Sequence, residues 1–277
     1  MALSYCAGVL LTNKECPWHC LMCDLWKHTL TTSVPAGAIP AQIEFALARL
    51  GAQPQQIKLY NSGSFFDSAA IPQQDYAGIA DRVSFAKNVV VESHPRLVGK
   101  RALQFRELLV GSLEVAMGLE TVHPEVLPRL NKRFTLEQFS GASTWLRKEG
   151  MAVRAFVLVR PPFMGENDAV KWAVESARFA FSCGAGVVSL IPTRGGNGAL
   201  EQLALSGEFA PPRLSTLEQS HEAALNLRAG RVFADAWDLE RFSICADCIQ
   251  ARRRRIETIN LTQEICPRVR CASCGGR

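Results

Sequence analysis

The sequence predicts an α/β fold in which parallel strands form a full or partial barrel. Three observations support this prediction. Short, apolar, β-branched segments alternate with longer amphipathic segments; the short segments are bounded by glycine, proline or polar turns; and the alternation occurs six times in a row. Such an alternation produces parallel strands joined by right-handed crossovers. The chain has 277 residues, of which 48% are hydrophobic, so it can bury one large core.

Six segments are predicted as buried strands because each is a brief, mainly apolar run. They are residues 8–12, 56–60, 88–92, 113–118, 153–159 and 186–191. Residues 231–234 are a candidate for one further strand. The carboxyl ends of parallel strands meet at one face of a barrel, so the loops that follow these segments are expected to form the functional site.

Helices are predicted between the strands from the spacing of apolar residues along one face. The predicted helices are residues 39–50, 135–149, 167–182 and 215–229. The second of these ends at Gly150, and Asn167 is expected to cap the third. The residues from 238 onward have a different composition, rich in cysteine and arginine. The predicted organisation is therefore a barrel over residues 1–237 and a small metal-binding extension over residues 238–277.

The loop after the first strand contains three cysteines in eight residues, Cys16, Cys20 and Cys23. Three thiolates can bind three irons of a [4Fe–4S] cluster and leave the fourth iron open to a small molecule, as catalytic zinc sites keep one position open. A structural zinc site with His28 as the fourth ligand is the alternative. Because the loop follows a barrel strand at the expected active-site face, the cluster is favoured.

Polar residues also follow the later strands, where they are expected to line the same end of the barrel as the cysteine loop. They are Asn61, Ser62, Gly63 and Ser64 after the second strand, Glu92 and Glu120 at the ends of the third and fourth, and Arg160 at the end of the fifth. Small residues allow the backbone to approach a ligand closely, and carboxylates are costly inside a barrel unless they are paired. An ordinary turn, or an acidic residue at a helix N-terminus, would also account for parts of this pattern.

A second group of cysteines lies near the C-terminus. Cys245 and Cys248 form one Cys-x2-Cys pair, and Cys271 and Cys274 form another. Two such pairs predict a structural zinc site. An auxiliary iron–sulfur cluster is the second interpretation, because Cys266 is an additional nearby thiol.

The net charge of +5 is concentrated in the last 27 residues, which contain seven arginines and two glutamates. The run Arg252, Arg253, Arg254 and Arg255 could bind phosphates of a nucleic acid, or could be the solvated face of a helix. No apolar run approaches the roughly 18 residues of a membrane span, so no membrane association is expected. The clustered cysteines and the lack of a signal-peptide pattern predict a cytoplasmic location.

The Cys-x3-Cys-x2-Cys spacing of the first loop resembles that of the radical S-adenosylmethionine superfamily. This resemblance implies a partial (β/α)6 TIM-like barrel, a [4Fe–4S] cluster on the three loop cysteines, and S-adenosylmethionine bound to the open iron. It also implies that Met22 lies near the adenine and that Asn61–Ser64 occupies the position that binds the cosubstrate amino group, although many members have Gly-Gly-Glu there. The implied reaction is reductive cleavage of S-adenosylmethionine to a 5′-deoxyadenosyl radical, which removes a hydrogen atom from a substrate.

Further motifs narrow the resemblance. The stretch that begins Gly-Leu-Glu at Gly118 resembles the branch that includes MiaB and the Elongator catalytic subunit, and motifs from Leu10 to Leu203 resemble the radical lyase subunit of archaeosine synthase. The resemblance implies a modified tRNA base as substrate, a partner enzyme subunit, and an electron donor such as flavodoxin or ferredoxin. Two alternatives remain: a radical enzyme that acts on a small metabolite, and a zinc-stapled nucleic-acid-binding protein without radical chemistry.

Overall fold

The computed structural model describes residues 5–275, which form a seven-stranded, entirely parallel sheet in the order β1 to β7. The strands are β1 (Cys6–Leu10), β2 (Gln56–Tyr60), β3 (Asn88–Glu92), β4 (Ser112–Glu120), β5 (Ala152–Val159), β6 (Val187–Pro192) and β7 (Arg231–Ala234). Because β1 and β7 do not pair with each other among the described residues, the sheet is a half-barrel with two open edges. The predicted α/β partial barrel is confirmed.

Helices follow most of the strands and cover the convex face of the sheet. They are α1 (Ala38–Leu47), α2 (Tyr76–Arg82), α3 (Lys100–Leu108), α4 (Val126–Arg129), α5 (Leu136–Lys148), α6 (Glu166–Ser182), α7 (Ala199–Leu205), α8 (Leu214–Leu225) and α9 (Ile249–Thr262). One large apolar core lies between this face and the helices. No helix in residues 5–275 combines the length and apolarity needed to cross a bilayer.

The predicted elements are present, and several of their boundaries differ from the prediction. β1 begins at Cys6 and not at residue 8. β4 continues to Glu120, because a register shift between Gly118 and Glu120 lets the strand extend beyond its apolar run. Gly165 occupies the N-cap position of α6, so the prediction that Asn167 caps this helix is wrong.

The C-terminal extension lies against the β7 edge of the sheet. The Asn260 side chain accepts a hydrogen bond from the Ala234 amide and donates one to its carbonyl, and Gln263 does the same at Val232. These amide side chains satisfy backbone groups that an open edge strand would leave exposed. The last helix therefore covers one of the two edges of the half-barrel.

Candidate active site at the carboxyl ends of the strands

The three-cysteine loop is held at its base by backbone pairing. Lys14 forms a parallel bridge with Leu30, the Glu15 amide donates to the Leu30 carbonyl, and the Leu30 amide donates to the Asn13 carbonyl. The Cys23 amide donates to the Cys20 carbonyl at 3.0 Å, which forms a tight turn between these two residues. The sulfur-bearing residues thus lie on a closed loop directly above the end of β1.

Contacts from distant segments fix the tip of this loop. The Trp18 indole stacks on the His94 imidazole with ring centroids 4.1 Å apart. The Asn131 amide nitrogen donates to the His19 carbonyl at 3.0 Å, and the Asn197 amide nitrogen donates to the Leu21 carbonyl. The loop conformation therefore depends on segments that follow β3, β4 and β6.

His94 is neutral in this arrangement. Its Nε2 donates to the Lys132 carbonyl at 2.7 Å, while its Nδ1 accepts from the Arg96 amide at 3.2 Å. Both ring nitrogens are used, which fixes the tautomer and the ring plane against which Trp18 stacks. Burial lowers the pKa of His94 to about 4, so the imidazole stays uncharged under ordinary conditions.

The loop closes over a cavity of about 200 Å³, which we call the cysteine pocket. Nine residues predicted from the sequence line it: Cys16, Cys20, Met22, Cys23, Ser62, Gly63, Ser64, Glu92 and Glu120. The structure thus gathers side chains from the loops after four strands around the three thiols. Trp18 and His94 also line the pocket, and so do Lys132 and Phe156, which had not been predicted.

A buried ion pair forms one wall of the cysteine pocket. The Lys132 ammonium lies 2.8 Å from a Glu120 carboxylate oxygen, and the two side chains are only 12% and 9% exposed. Burial alone lowers the pKa of Lys132, but the charges of Glu120 and Cys20 outweigh it and raise that pKa, so the lysine is cationic. Gly118 makes room for the pair, because a Cβ atom there would lie 2.2 Å from the Glu120 oxygen.

Glu92 lies beside this pair and has a different environment. The pKa of its carboxyl group is raised to about 7, because burial and the nearby Glu120 charge together outweigh the opposing effect of the Lys132 charge. Because the folded state binds this proton more tightly than the unfolded chain does, the free energy of unfolding falls as pH rises from 4.5 through about 7.

Replacing Glu92 with glutamine is therefore expected to stabilise the protein at pH 8 and to have little effect at pH 5. The shift from 4.5 to about 7 corresponds to about 3 kcal/mol when the carboxyl is fully ionised. Thermal unfolding between pH 5 and pH 8.5 measures this difference. Glu107→Gln, at an exposed position on α3, serves as the control. If the stability difference between Glu92→Gln and the parent is the same at every pH in this range, the raised pKa of Glu92 is contradicted.

The segment after β2 contributes both structural and unpartnered polar groups. The Ser64 hydroxyl accepts a hydrogen bond from the His94 amide at 2.8 Å, so it helps to hold the loop after β3. Asn61 is fully buried, yet neither its Oδ1 nor its Nδ2 has a hydrogen-bond partner. A Cβ atom at Gly63 would lie 3.3 Å from the Cys16 Cβ, so this glycine permits close approach to the cysteine loop.

Met22 and Arg160 differ in their relation to the pocket. Met22 lines it and also packs against an apolar cluster that includes Leu130 and Met164. Arg160 does not line it; its guanidinium pairs with Glu166 at 2.5 Å and donates to the Pro211 carbonyl at 2.7 Å. The expectation that Arg160 joins the other predicted cosubstrate residues is therefore not supported.

The pocket residues fit an iron–sulfur cluster better than a single zinc ion. Burial raises the pKa of each of the three thiols, and the Lys132 charge opposes this shift at all three. The Trp18 indole nitrogen is buried without an acceptor, although its ring lines the pocket, so it could donate to a cluster sulfide. His28, the alternative zinc ligand, is exposed and lies outside the lining.

A wider cavity of about 690 Å³ occupies the concave face of the sheet, and we call it the inner chamber. It shares Glu92, Glu120, Leu25 and Phe156 with the cysteine pocket, so the two cavities are contiguous. Other polar lining residues include Lys58, Tyr60, Glu114, Arg154 and Ser189. A molecule in the chamber would therefore lie directly beside one held in the pocket.

The charged groups inside the chamber are partly satisfied by one another. Arg154 pairs with Glu114 at 2.6 Å and donates to the Ser189 hydroxyl at 3.2 Å. This pair connects β4, β5 and β6 across the floor of the chamber. Buried charges are costly unless they are paired in this way.

The C-terminal cysteines form a separate, compact group. The Cys245 and Cys271 sulfurs are 3.8 Å apart, the Cys248 and Cys274 sulfurs are 3.7 Å apart, and all four lie within 4.8 Å of one another. Four thiolates around one zinc ion at about 2.3 Å would be separated by about 3.8 Å. Cys266 does not belong to this group; its thiol contacts the Glu264 carbonyl.

The four arginines predicted to bind nucleic acid do not form a common exposed surface. Arg252 is 1% exposed and pairs with Glu218 at 2.6 Å, while Arg255 is 5% exposed and pairs with Glu222 at 2.5 Å. Arg253 pairs with Glu240, and Arg254 is exposed. The expectation of a phosphate-binding run is therefore wrong for Arg252 and Arg255, whose charges connect α9 to α8.

Sequence comparisons give three relatives. An uncharacterised protein of Methanocaldococcus jannaschii is 24% identical over 263 residues, which cover 89% of this chain and 72% of that protein. Archaeosine synthase subunit beta of Thermococcus kodakarensis is 32% identical over 129 residues, covering 44% and 40% of the two chains. The subunit of the same name from Methanosarcina acetivorans is 25% identical over 218 residues, covering 74% and 63%. No protein-family model matches the chain.

Solved structures show the same fold. Elp3 of the archaeon Methanocaldococcus infernus superposes with a TM-score of 0.62 at 16% identity, covering 99% of this chain and 66% of that one. Coproporphyrinogen III oxidase of Escherichia coli, described as a radical SAM enzyme, superposes with a TM-score of 0.50 at 11% identity, covering 81% and 51%. The resemblance to the radical SAM fold and to archaeosine synthase subunit beta is confirmed, and the chain spans 40% and 63% of the length of those two subunits.

Proposed function

We propose that this chain, which has the radical SAM fold, is a radical SAM enzyme. Cys16, Cys20 and Cys23 would hold a [4Fe–4S] cluster whose fourth iron binds S-adenosylmethionine. One observation carries the proposal: three thiols converge on a pocket at the carboxyl ends of a parallel half-barrel, and that pocket opens into a polar chamber. The bound cluster and cosubstrate would supply a 5′-deoxyadenosyl radical that removes hydrogen from a substrate.

The residues of the chain would position these groups. Lys132 and Glu120 provide a fixed pair of opposite charges in the pocket wall, and the lysine offsets negative charge on the thiolates. Gly63 lets the backbone approach the cosubstrate, whereas the buried Asn61 amide lies outside the lining of both cavities. Met22 offers an apolar surface beside the adenine.

The proposed substrate is a modified base of tRNA, which would enter the inner chamber. Similarity to the two archaeosine synthase subunits supports this choice and also a partner subunit. The chamber, at about 690 Å³, suits a single base or a metabolite of that size. A nucleic-acid-binding protein that is stabilised by zinc and has no catalytic activity is less favoured. Two of the residues predicted to contact nucleic acid, Arg252 and Arg255, are buried in ion pairs.

For the C-terminal cysteines we propose one structural zinc ion and not an auxiliary cluster. The sulfur separations of 3.7 and 3.8 Å agree with four ligands around one ion. The sulfurs that bind different irons of a cubane lie much farther apart. Cys266 is not needed for this site.

The function is tested with anaerobically reconstituted protein. The parent is expected to bind about four irons at the loop, to be brown, and, when reduced by dithionite, to convert S-adenosylmethionine to 5′-deoxyadenosine. Cys16→Ala is expected to lose most of the visible absorption and at least 100-fold of this activity, because one cluster ligand is removed. Iron analysis, absorption spectra and mass spectrometry, with and without bulk tRNA, give the readout.

Cys183→Ala is the matched control, since Cys183 lies at the end of α6 outside both cavities. It should keep the iron and the activity of the parent. Colourless parent protein with a single zinc ion on the first loop, or no 5′-deoxyadenosine under any condition, would contradict the proposed function.

A further inference from the structure

A third cavity, of about 660 Å³, lies on the surface beside the cysteine loop. Its lining includes Arg96, Pro124, Leu127, Pro128, Asn131 and Arg133, and we call it the basic groove. None of its lining residues belongs to the inner chamber, and none is shared with the cysteine pocket. The groove is therefore a surface feature separate from the two cavities of the candidate active site.

The groove is separated from the loop cysteines by a single layer of residues. Asn131, in the groove wall, donates hydrogen bonds to the Trp18 and His19 carbonyls. The Arg96 guanidinium lies 5.3 Å from the centre of the Trp18 indole. Because Trp18 also lines the cysteine pocket, one aromatic side chain connects the groove to the position of the cluster.

The lining of the groove carries two guanidinium charges, and among the described residues neither has an acidic hydrogen-bond partner. Arg96 and Arg133 are both exposed, and among the described lining residues there is no carboxylate. Arg96 donates to the Arg133 carbonyl at 3.4 Å, and Arg133 donates to the Asn131 side chain, so both guanidiniums contact neutral acceptors. Arg129, in the same segment, differs because it pairs with Glu208.

Apolar residues form the middle of the groove. Pro124 and Pro128 are exposed, and Leu127 lies beneath them. An apolar centre with a charged rim is typical of protein–protein interfaces, and exposed charges of one sign steer a partner of the opposite sign. The chemistry of this surface thus matches a small acidic protein.

We propose that the basic groove is the docking site of a small acidic electron-carrier protein that holds a flavin or an iron–sulfur cofactor. The inference rests on the proposed function, which requires one electron for each reductive cleavage. The carrier's cofactor loses one electron and the cluster on the loop cysteines gains it, with no bond made or broken and no proton moved. Trp18 and Arg96 lie between the two redox centres in this arrangement.

The test compares protein and small-molecule reductants on the reconstituted enzyme. In Arg96→Glu/Arg133→Glu, the second-order rate of cluster reduction by reduced flavodoxin or ferredoxin is expected to fall at least tenfold at low salt, because the rim charge is reversed. The rate for the parent is expected to fall with ionic strength. Reduction by dithionite, followed by the loss of visible absorption and by the electron paramagnetic resonance signal, is expected to be the same in both proteins.

Arg254→Glu/Lys148→Glu is the charge-matched control, since both residues are exposed and lie outside the groove. It should leave both rates unchanged. Equal rates with the protein reductant in the parent and in Arg96→Glu/Arg133→Glu overturn the proposal. So does weaker tRNA binding in a gel-shift assay without any change in reduction by the carrier, because the groove would then be an RNA surface. If dithionite reduces no cluster in the parent protein, the proposed function is contradicted. The docking proposal, which rests on that function, is then contradicted as well.

Discussion

Replacing Lys132 with methionine is expected to lower the free energy of unfolding by about 3–5 kcal/mol, because it leaves the Glu120 carboxylate buried without its partner. Methionine keeps the length and the apolar stem of the side chain, so the loss is mainly electrostatic. The Lys132 backbone carbonyl still accepts from His94, which preserves the local contact beneath Trp18. Chemical denaturation of the reconstituted protein under anaerobic conditions measures the effect.

The double variant Glu120→Gln/Lys132→Met distinguishes the contribution of the ion pair to stability from the contributions of the two individual side chains. It is expected to recover a large part of the lost stability, because no charge is then left buried alone. Arg82→Met is the control: its pair with Glu44 is more exposed, with side chains 32% and 68% accessible, and is expected to contribute less than about 1 kcal/mol. A Lys132→Met variant as stable as Arg82→Met would contradict the role assigned to the pair.

The strands were predictable because their signal is local. A run such as Val89, Val90 and Val91 is apolar at consecutive positions, and only a strand buried on both faces uses all of them. The exact ends were less predictable. The extension of β4 to Glu120 depends on a register shift against β5 and on a positive φ of 63° at Glu120, neither of which has a local sequence signal.

The cysteine pocket was predictable where its residues end a strand, as Glu92 and Glu120 do, or lie in the loop that follows one, as Cys16 does. Lys132 was missed as a functional residue, and the contact of His94 with Trp18 was not foreseen, because both contacts are made only after folding. Lys132 lies in the segment between α4 and α5 and reaches back to Glu120, and His94 reaches across to Trp18. A motif search along the chain records spacing, whereas these contacts depend on how three loops pack together.

The arginines of α9 were misinterpreted for a related reason. Their density suggested a solvated or phosphate-binding face, but Glu218 and Glu222 on α8 lie one helical turn apart, opposite Arg252 and Arg255. The matching spacing of acids and bases on two helices was the available signal. Recognising it would have required knowing that α8 and α9 lie side by side.

Replacing Cys248 with alanine is expected to remove bound zinc from the C-terminal site and to loosen the extension. Three remaining thiolates bind the ion far more weakly than four, and zinc binding by small cysteine sites supplies on the order of 10 kcal/mol of folding free energy. Zinc per chain should fall from about one to near zero, while the iron on the first loop stays constant. Metal analysis and limited proteolysis after α9 give the readout.

Cys266→Ala is the matched control for Cys248→Ala, because Cys266 lies in the same extension and outside the four-sulfur group. It should keep the zinc. Iron in excess of one cubane in the parent protein, lost in Cys248→Ala, would show an auxiliary cluster and contradict the zinc assignment. The distinction matters for the mechanism: a zinc ion can only fix the extension against α8 and the β7 edge, whereas a second cluster could transfer electrons.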